Sequence, residues 1–300
     1  MKKILLLGNL LFLFLAFENT AHSQQVTTGK TSSQTRSLSN FNFVNLKMSG
    51  IIYLKQADQF SVMIEAPVEI IDKITTEVSE NTLVIENKNK YTIGYMPAVK
   101  IYVTLPKPNG LEVNGSGDII AQTDITSNFL SVNVAGSGRI KLMGISASKI
   151  NIQLLGSGQI SHGEVITESA LIEIRGSGDY EGAKLTSRLI SASMDGSGSI
   201  KLSTIAAGKL WMQNRGSGSI RQLSGMATVV LFENNGSGDI SAGELNGGTI
   251  SVSNAGSGNI DVGICETLNA ELSGSGDVRY HGTPKTMRKN VSGSGDVSQH

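Results

Sequence analysis

Ten copies of the tripeptide Gly-Ser-Gly constrain this chain more than any other feature. Their first glycines fall at residues 115, 136, 156, 176, 196, 216, 236, 256, 274 and 293. The steps are 21, then 20 six times, then 18 and 19. A fixed period near 20 marks a solenoid, in which each repeat buries its apolar face only by stacking on its neighbours. Two glycines per unit disfavour helix there, and Ile and Val dominate the segments between them.

Counting from the first glycine of each copy exposes a period-two pattern. Four residues on lie Ile119, Ile140, Ile160, Tyr180, Ile200, Ile220, Ile240, Ile260, Val278 and Val297. Apolar columns also stand two, four and six residues before the glycine, beginning Val113, Leu111 and Leu130. Alternation at period two means strands with one face buried. Both glycines of the motif share the inward parity, so the motif reads as a tight inside corner where a side chain has no room. A further apolar column nine residues after the glycine includes Ile145, Val165, Leu185 and Cys265. Cys265 is the only cysteine, so no intramolecular disulfide exists and the thiol is expected in the core.

The expected fold is therefore all-β: a single-stranded right-handed parallel β-helix of about 20 residues per coil, with an N-terminal β-rich cap. Ten coils at about 4.8 Å would make a rod of roughly 48 Å. The organisation reads as a signal peptide over residues 1–23, a polar linker over 24–36, a β-rich capping region over 37–110 and the β-helix over 111–300. Lys2 and Lys3 precede the apolar run Ile4–Phe17, and a small-residue cleavage site follows at Ala21–Ser23. As a helix that run reaches only about 21 Å, short of a bilayer core. The capping region carries strand-like stretches without the repeat, and "PVEIIDKITTEV" at 67–78 suits a short helix. At the far end Pro284, Lys285, Arg288 and Lys289 would blunt the last edge, as solenoid ends require.

The order of parts resembles a known family. "FNFVNLKMSGIIYLKQ" at 41–56 is followed by "ITTEVSENTLVIENK" at 74–88. Next comes "VKIYVTLPKPNGLEVNGSGDI" at 99–119, which leads into the repeated GSG turns. This arrangement is similar to the auto-transporter adhesin head GIN domain family of exported bacterial proteins. The resemblance implies a β-helical fold and an extracytoplasmic location, and it brings no catalytic residues.

Composition and spacing argue against several chemistries. Lys plus Arg equals Asp plus Glu at 25 each, so no global field favours nucleic acid or anionic lipid. The nearest approach to a phosphate loop, "GSGDYEG" at 176–182, has wrong glycine spacing and no helix to follow. His162 and His281 are about six coils apart, roughly 29 Å, too far to share a zinc ion. No catalytic, cofactor-binding or metal residue is assigned. Two acidic groups, Asp277 with Asp296 and Glu173 with Asp179 and Glu181, are candidate calcium sites against the commoner reading of a solvated face. The serines between the glycines form a regular ladder best explained by small corner residues. One outward column places Leu171, Trp211 and Leu231 among polar residues, a candidate contact surface if Trp211 is exposed.

The expected function is a non-enzymatic, exported binding or structural module, adhesin-like and envelope-associated, in the periplasm, on the surface or secreted. A glycan or protein at the envelope is the expected partner, and no transmembrane segment is expected in the mature chain. The alternative is a polysaccharide-degrading β-helix enzyme, a lyase or hydrolase using outward carboxylates.

Overall fold

The computed structural model describes residues 30–88, 99–221 and 223–300. The signal peptide and residues 24–29 of the linker lie outside the described residues. The remainder is a β-solenoid of about nine turns with about 20 residues per turn, nearly all strand. Parallel pairing steps by one repeat throughout, with Ile140 opposite Ile160 and Ile160 opposite Tyr180.

The column expected four residues after the glycine is buried from Ile119 through Val297, and the column nine after is buried at Ile145, Val165, Leu185 and Cys265. Burial pushes the Cys265 thiol above its ordinary pKa. Two inward columns were not read from the sequence. Six residues after the glycine, Ala121, Leu142, His162, Leu202, Ala242 and Val262 are buried. Eleven after, Ala147, Thr167, Ser187 and Ala227 are buried. Their mixture of small and polar residues hides them from a hydrophobicity pattern. Thr167 and Ser187 survive burial because their hydroxyls donate to the carbonyls of Ser169 and Leu189.

The two glycines of the motif are not equivalent. The second is buried in every copy, whereas the first is only half-buried. A Cβ on Gly138 would strike Val113 Cγ1 in the interior and the carbonyl oxygen of Gly117. A Cβ on the first glycine of a later copy, such as Gly196, would strike mainly the backbone of Gly176 one coil below. The inside-corner argument thus holds for the second glycine. Close backbone stacking between coils confines both glycines in the later copies, and in the first four copies the first glycine also holds a positive φ of 132–144°.

The N-terminal region belongs to the same stack. Its elements are β1 (Thr31–Arg36), β2 (Phe43–Leu46), β3 (Ile51–Gln56), β4 (Ser61–Pro67), α1 (Val68–Ile71), β5 (Ile74–Ser79), β6 (Thr82–Asn87) and β7 (Lys100–Leu105). The repeat opens with β8 (Gly110–Gly115) and β9 (Asp118–Ala121). β2 pairs in parallel with both β6 and β8, and β3 with both β7 and β9. Residues 43–56 therefore form a complete rung directly beneath the first GSG coil, although the chain then leaves it to build the outer rung from β6 and β7. Met48, Ser49 and Gly50 take the corner position, and Ser49 Oγ lies 3.0 Å from Ser116 Oγ. Antiparallel β4 covers β7, β1 covers β4 and β5 covers β6, which caps the outer rung. This corrects the linker reading for residues 31–36, because Thr31–Arg36 pairs fully with β4. The expected short helix shrinks to the four residues of α1, and Ile74–Ser79 is a strand. At the opposite end Lys289 stands opposite Ala270 on an exposed strand and its ammonium donates to Asp296 and the Val297 carbonyl.

Candidate functional site

Two corner chemistries divide the solenoid. In the early coils the second glycine's carbonyl accepts from the backbone three residues after the next coil's first glycine, as Arg139 N to Gly117 O at 3.1 Å and Gln159 N to Gly138 O at 3.0 Å. In three consecutive coils the column two before the glycine changes from Val, Leu, Ile and Met to asparagine, at Asn214, Asn234 and Asn254, before returning to Leu272 and Val291. Asn214, Asn234 and Asn254 are 0–1% exposed. Asn234 Nδ2 donates to Gly238 O at 3.0 Å and Gly258 O at 3.3 Å, while its Oδ1 accepts from Gly236 N at 3.3 Å. With those carbonyls occupied, the displaced backbone donors turn to side chains one coil below. Asn259 N donates to Asp239, Asp277 N to Asn259 and Asp296 N to Asp277, at 2.7–3.0 Å.

This arrangement accounts for Asp239 and Asp277 in the GSGD copies of the second half: they satisfy corner amides of the next coil. It also bears on the first calcium candidate. One oxygen of Asp277 is held by Asp296 N, and Asp296 binds the Lys289 ammonium, which keeps its carboxyl below the usual carboxylate range. The second candidate group is divided by the corner. Glu173 lies before it and engages Gln153 and Arg175, whereas Asp179 and Glu181 lie after it, with Asp179 accepting from Ser199 at 2.6 Å. Among the described residues no group of three His, Cys, Asp or Glu is gathered at metal-binding spacing.

The concave surface of the rod lies on the short strand after each corner. Two adjoining cavities of about 720 and 910 Å³ share Lys201 and Ser203. Together they run from Asp118 to His300, across the rod's coils, as one groove. Near its start Asp118 and Arg139 form a two-point ion pair at 3.2 and 2.8 Å, which raises the Arg139 pKa. Lys141, Glu181, Lys201 and Arg221 line the groove without an ion-pair partner among the described residues. His162 forms part of the floor. Its Nδ1–H donates to Gly163 O at 2.9 Å, so Nε2 accepts from Tyr180 Oη at 2.6 Å. Burial lowers the His162 pKa, the Gly163 contact opposing it, and burial raises that of Tyr180 well above its ordinary value. Both groups are therefore neutral, a buried polar pair inside the core.

At the far end of the groove His281 Nε2 lies 3.2 Å from Asp261 Oδ1, and its ring meets His300 edge-to-face at 4.8 Å. The sequence held the signal for this pair: their spacing of 19 equals the final coil step, so they stack.

The opposite side of the GSG corner presents the flat strand that ends in each corner. Here Trp211 is 38% exposed and Leu171 39%, which settles the tryptophan's orientation as outward. Trp211 pairs with Ser191 on one coil and Leu231 on the next. The serine ladder lies along the corner itself, with Ser237 donating to Ser217 at 3.1 Å.

Comparison with known proteins follows this architecture closely. The family model described as "Putative auto-transporter adhesin, head GIN domain" matches residues 40–203 and 185–284. The chain is similar in fold to the crystal structure of a "putative lipid binding protein" from Parabacteroides distasonis, at 21% identity and TM-score 0.57 over 91% of this chain and 98% of that one. A "putative adhesin" from the same species gives 18% identity and TM-score 0.54 over 91% and 98%. Another from Parabacteroides merdae gives 16% and 0.52 over 91% and 97%. No curated protein matches the sequence.

Proposed function

This chain belongs to the auto-transporter adhesin head GIN domain family, and on that premise we propose that it is a non-enzymatic, exported module that binds an extended partner at the cell envelope. The observation that carries the reading is the continuous groove from Asp118 to His300, lined by side chains of both charge signs and open along the rod. A groove several coils long suits a chain-like ligand, a glycan or a peptide segment, better than a compact substrate. Its carboxylates support binding more than turnover. Asp118 is paired with Arg139 and Asp261 faces His281, while Glu181 and Glu244 line separate cavities of the groove. Export is supported by the basic start and apolar run at Ile4–Phe17.

Protease accessibility on intact cells of the native host, with lysed cells as control, tests the location. Cleavage on intact cells is the expected result for an adhesin. Protection until lysis overturns surface adhesion and leaves a periplasmic scaffold. Turnover of acidic polysaccharides by the purified protein, lost on Glu181→Gln, would overturn the non-enzymatic part.

A further inference from the structure

We infer that the flat face around Trp211, across the GSG corner from the groove, is a second ligand site that stacks a pyranose ring of a glycan on the indole. Trp211 is the only tryptophan in the chain and sits half-exposed in the middle of a sheet rather than at an edge. Leu231 stands beside it on the next coil, and Leu189 and Val229, 37% and 41% exposed, lie diagonally from it on the adjacent coils, opposite Lys209. Exposed apolar side chains gathered on adjacent coils of a surface otherwise mostly polar and charged call for a ligand.

Polar groups of fixed position border the same patch. Gln213 is only 8% exposed and its Nε2 donates to Glu233 Oε2 at 2.7 Å. That bond immobilises the Glu233 carboxylate one coil above the indole, with its second oxygen free of any protein donor among the described residues. On the other side of Trp211 stands Lys209, exposed and without an ion-pair partner there. The surface is therefore an apolar strip interrupted by one donor, Lys209 between Leu189 and Val229, with a held acceptor beside the indole.

Among ligand classes a pyranose matches this arrangement. One face of the ring is a plane of C–H groups suited to the negative face of an indole, and its rim carries hydroxyls that both donate and accept. A second copy of the chain fits poorly. A few half-exposed side chains fall far short of the roughly 800 Å² per partner that stable protein interfaces bury. An anionic bilayer fits poorly too, because Glu233 and Glu173 border the strip.

The single tryptophan makes the test direct. The purified full chain is screened on a glycan array, and cellohexaose, chitohexaose and mannohexaose are titrated against its intrinsic fluorescence. The expected result is a saturable change in tryptophan emission with at least one oligosaccharide. Binding should fall at least tenfold in Trp211→Ala, fall less in Trp211→Tyr, and leave the melting temperature within about 2 °C of wild type. Array binding that survives Trp211→Ala would place the glycan elsewhere and overturn this site, while leaving the binding-module reading intact. Absence of any glycan response also overturns it, as does an emission change produced only by lipid vesicles or by concentration-dependent dimerisation.

Discussion

Replacing Asn234 with leucine tests whether the buried asparagines hold the second half of the solenoid by hydrogen bonding or by volume alone. Leucine has the same branching, and Leu154 fills the same column, fully buried, in an early coil. The substitution leaves Gly236 N–H without its partner, while the carbonyls of Gly238 and Gly258 each lose one of two donors and keep those from Asn214 and Asn254. An orphaned amide at about 2 kcal/mol and two lost second hydrogen bonds at about 1 kcal/mol each make the loss about 4 kcal/mol. Burial of the leucine side chain returns about 2 kcal/mol, leaving a net destabilisation of about 2 kcal/mol. Asn234→Ala has little such compensation and should cost about 4 kcal/mol. Urea denaturation gives the ranking wild type, then Asn234→Leu, then Asn234→Ala, and the leucine variant should melt about 5 °C lower. Hydrogen exchange should place the loss in the coils around Gly216–Gly256, since solenoid stability is local. A leucine variant as stable as wild type would show that the corner switches to the early-coil pattern at no cost, and the argument would fail.

Three further outcomes are expected. Gly198→Ala should destabilise by about 3 kcal/mol or more, because its Cβ meets the backbone of Gly178 and no side-chain rotation relieves the overlap; Ser197→Ala, on an exposed position, should stay within about 0.5 kcal/mol in the same denaturation assay. His162 is held neutral with a lowered pKa, so the unfolded chain takes its proton first. Its contribution is present above the unfolded value of about 6.5 and is lost as pH falls below it, with a slope of up to about 1.4 kcal/mol per pH unit. Stability measured from pH 8 to 5 should therefore fall more steeply in wild type than in His162→Leu, and parallel curves would refute the buried-pair account. Chelation should leave the melting temperature within about 1 °C, since Asp277 and Asp296 are engaged by a corner amide and Lys289; a drop of several degrees restored by Ca²⁺ would show a metal role.

The sequence by itself determined the coil length, the strand parity and most of the core. Those follow from period: a residue at a fixed offset in a 20-residue repeat has no choice of face once its neighbours are stacked. The buried thiol of Cys265 and the reading of GSG as a corner come from the same arithmetic. Only the tertiary structure decided what the period does not encode. Met48-Ser49-Gly50 became a corner because β2 and β3 are clamped between two other rungs, 67 residues away from the strands that define their register. Thr31–Arg36 became a strand because an unpaired edge of β4 was available, although its composition is that of a solvated linker. The asparagines of the late coils fall in an inward column by period, but the period does not say how an amide survives there; stacking does, by bringing the amides of Asn214 and Asn234 each within reach of two carbonyls belonging to two different coils. The stacking of His281 on His300 and the outward turn of Trp211 were set in the same way, by which residue the neighbouring coil places beside them.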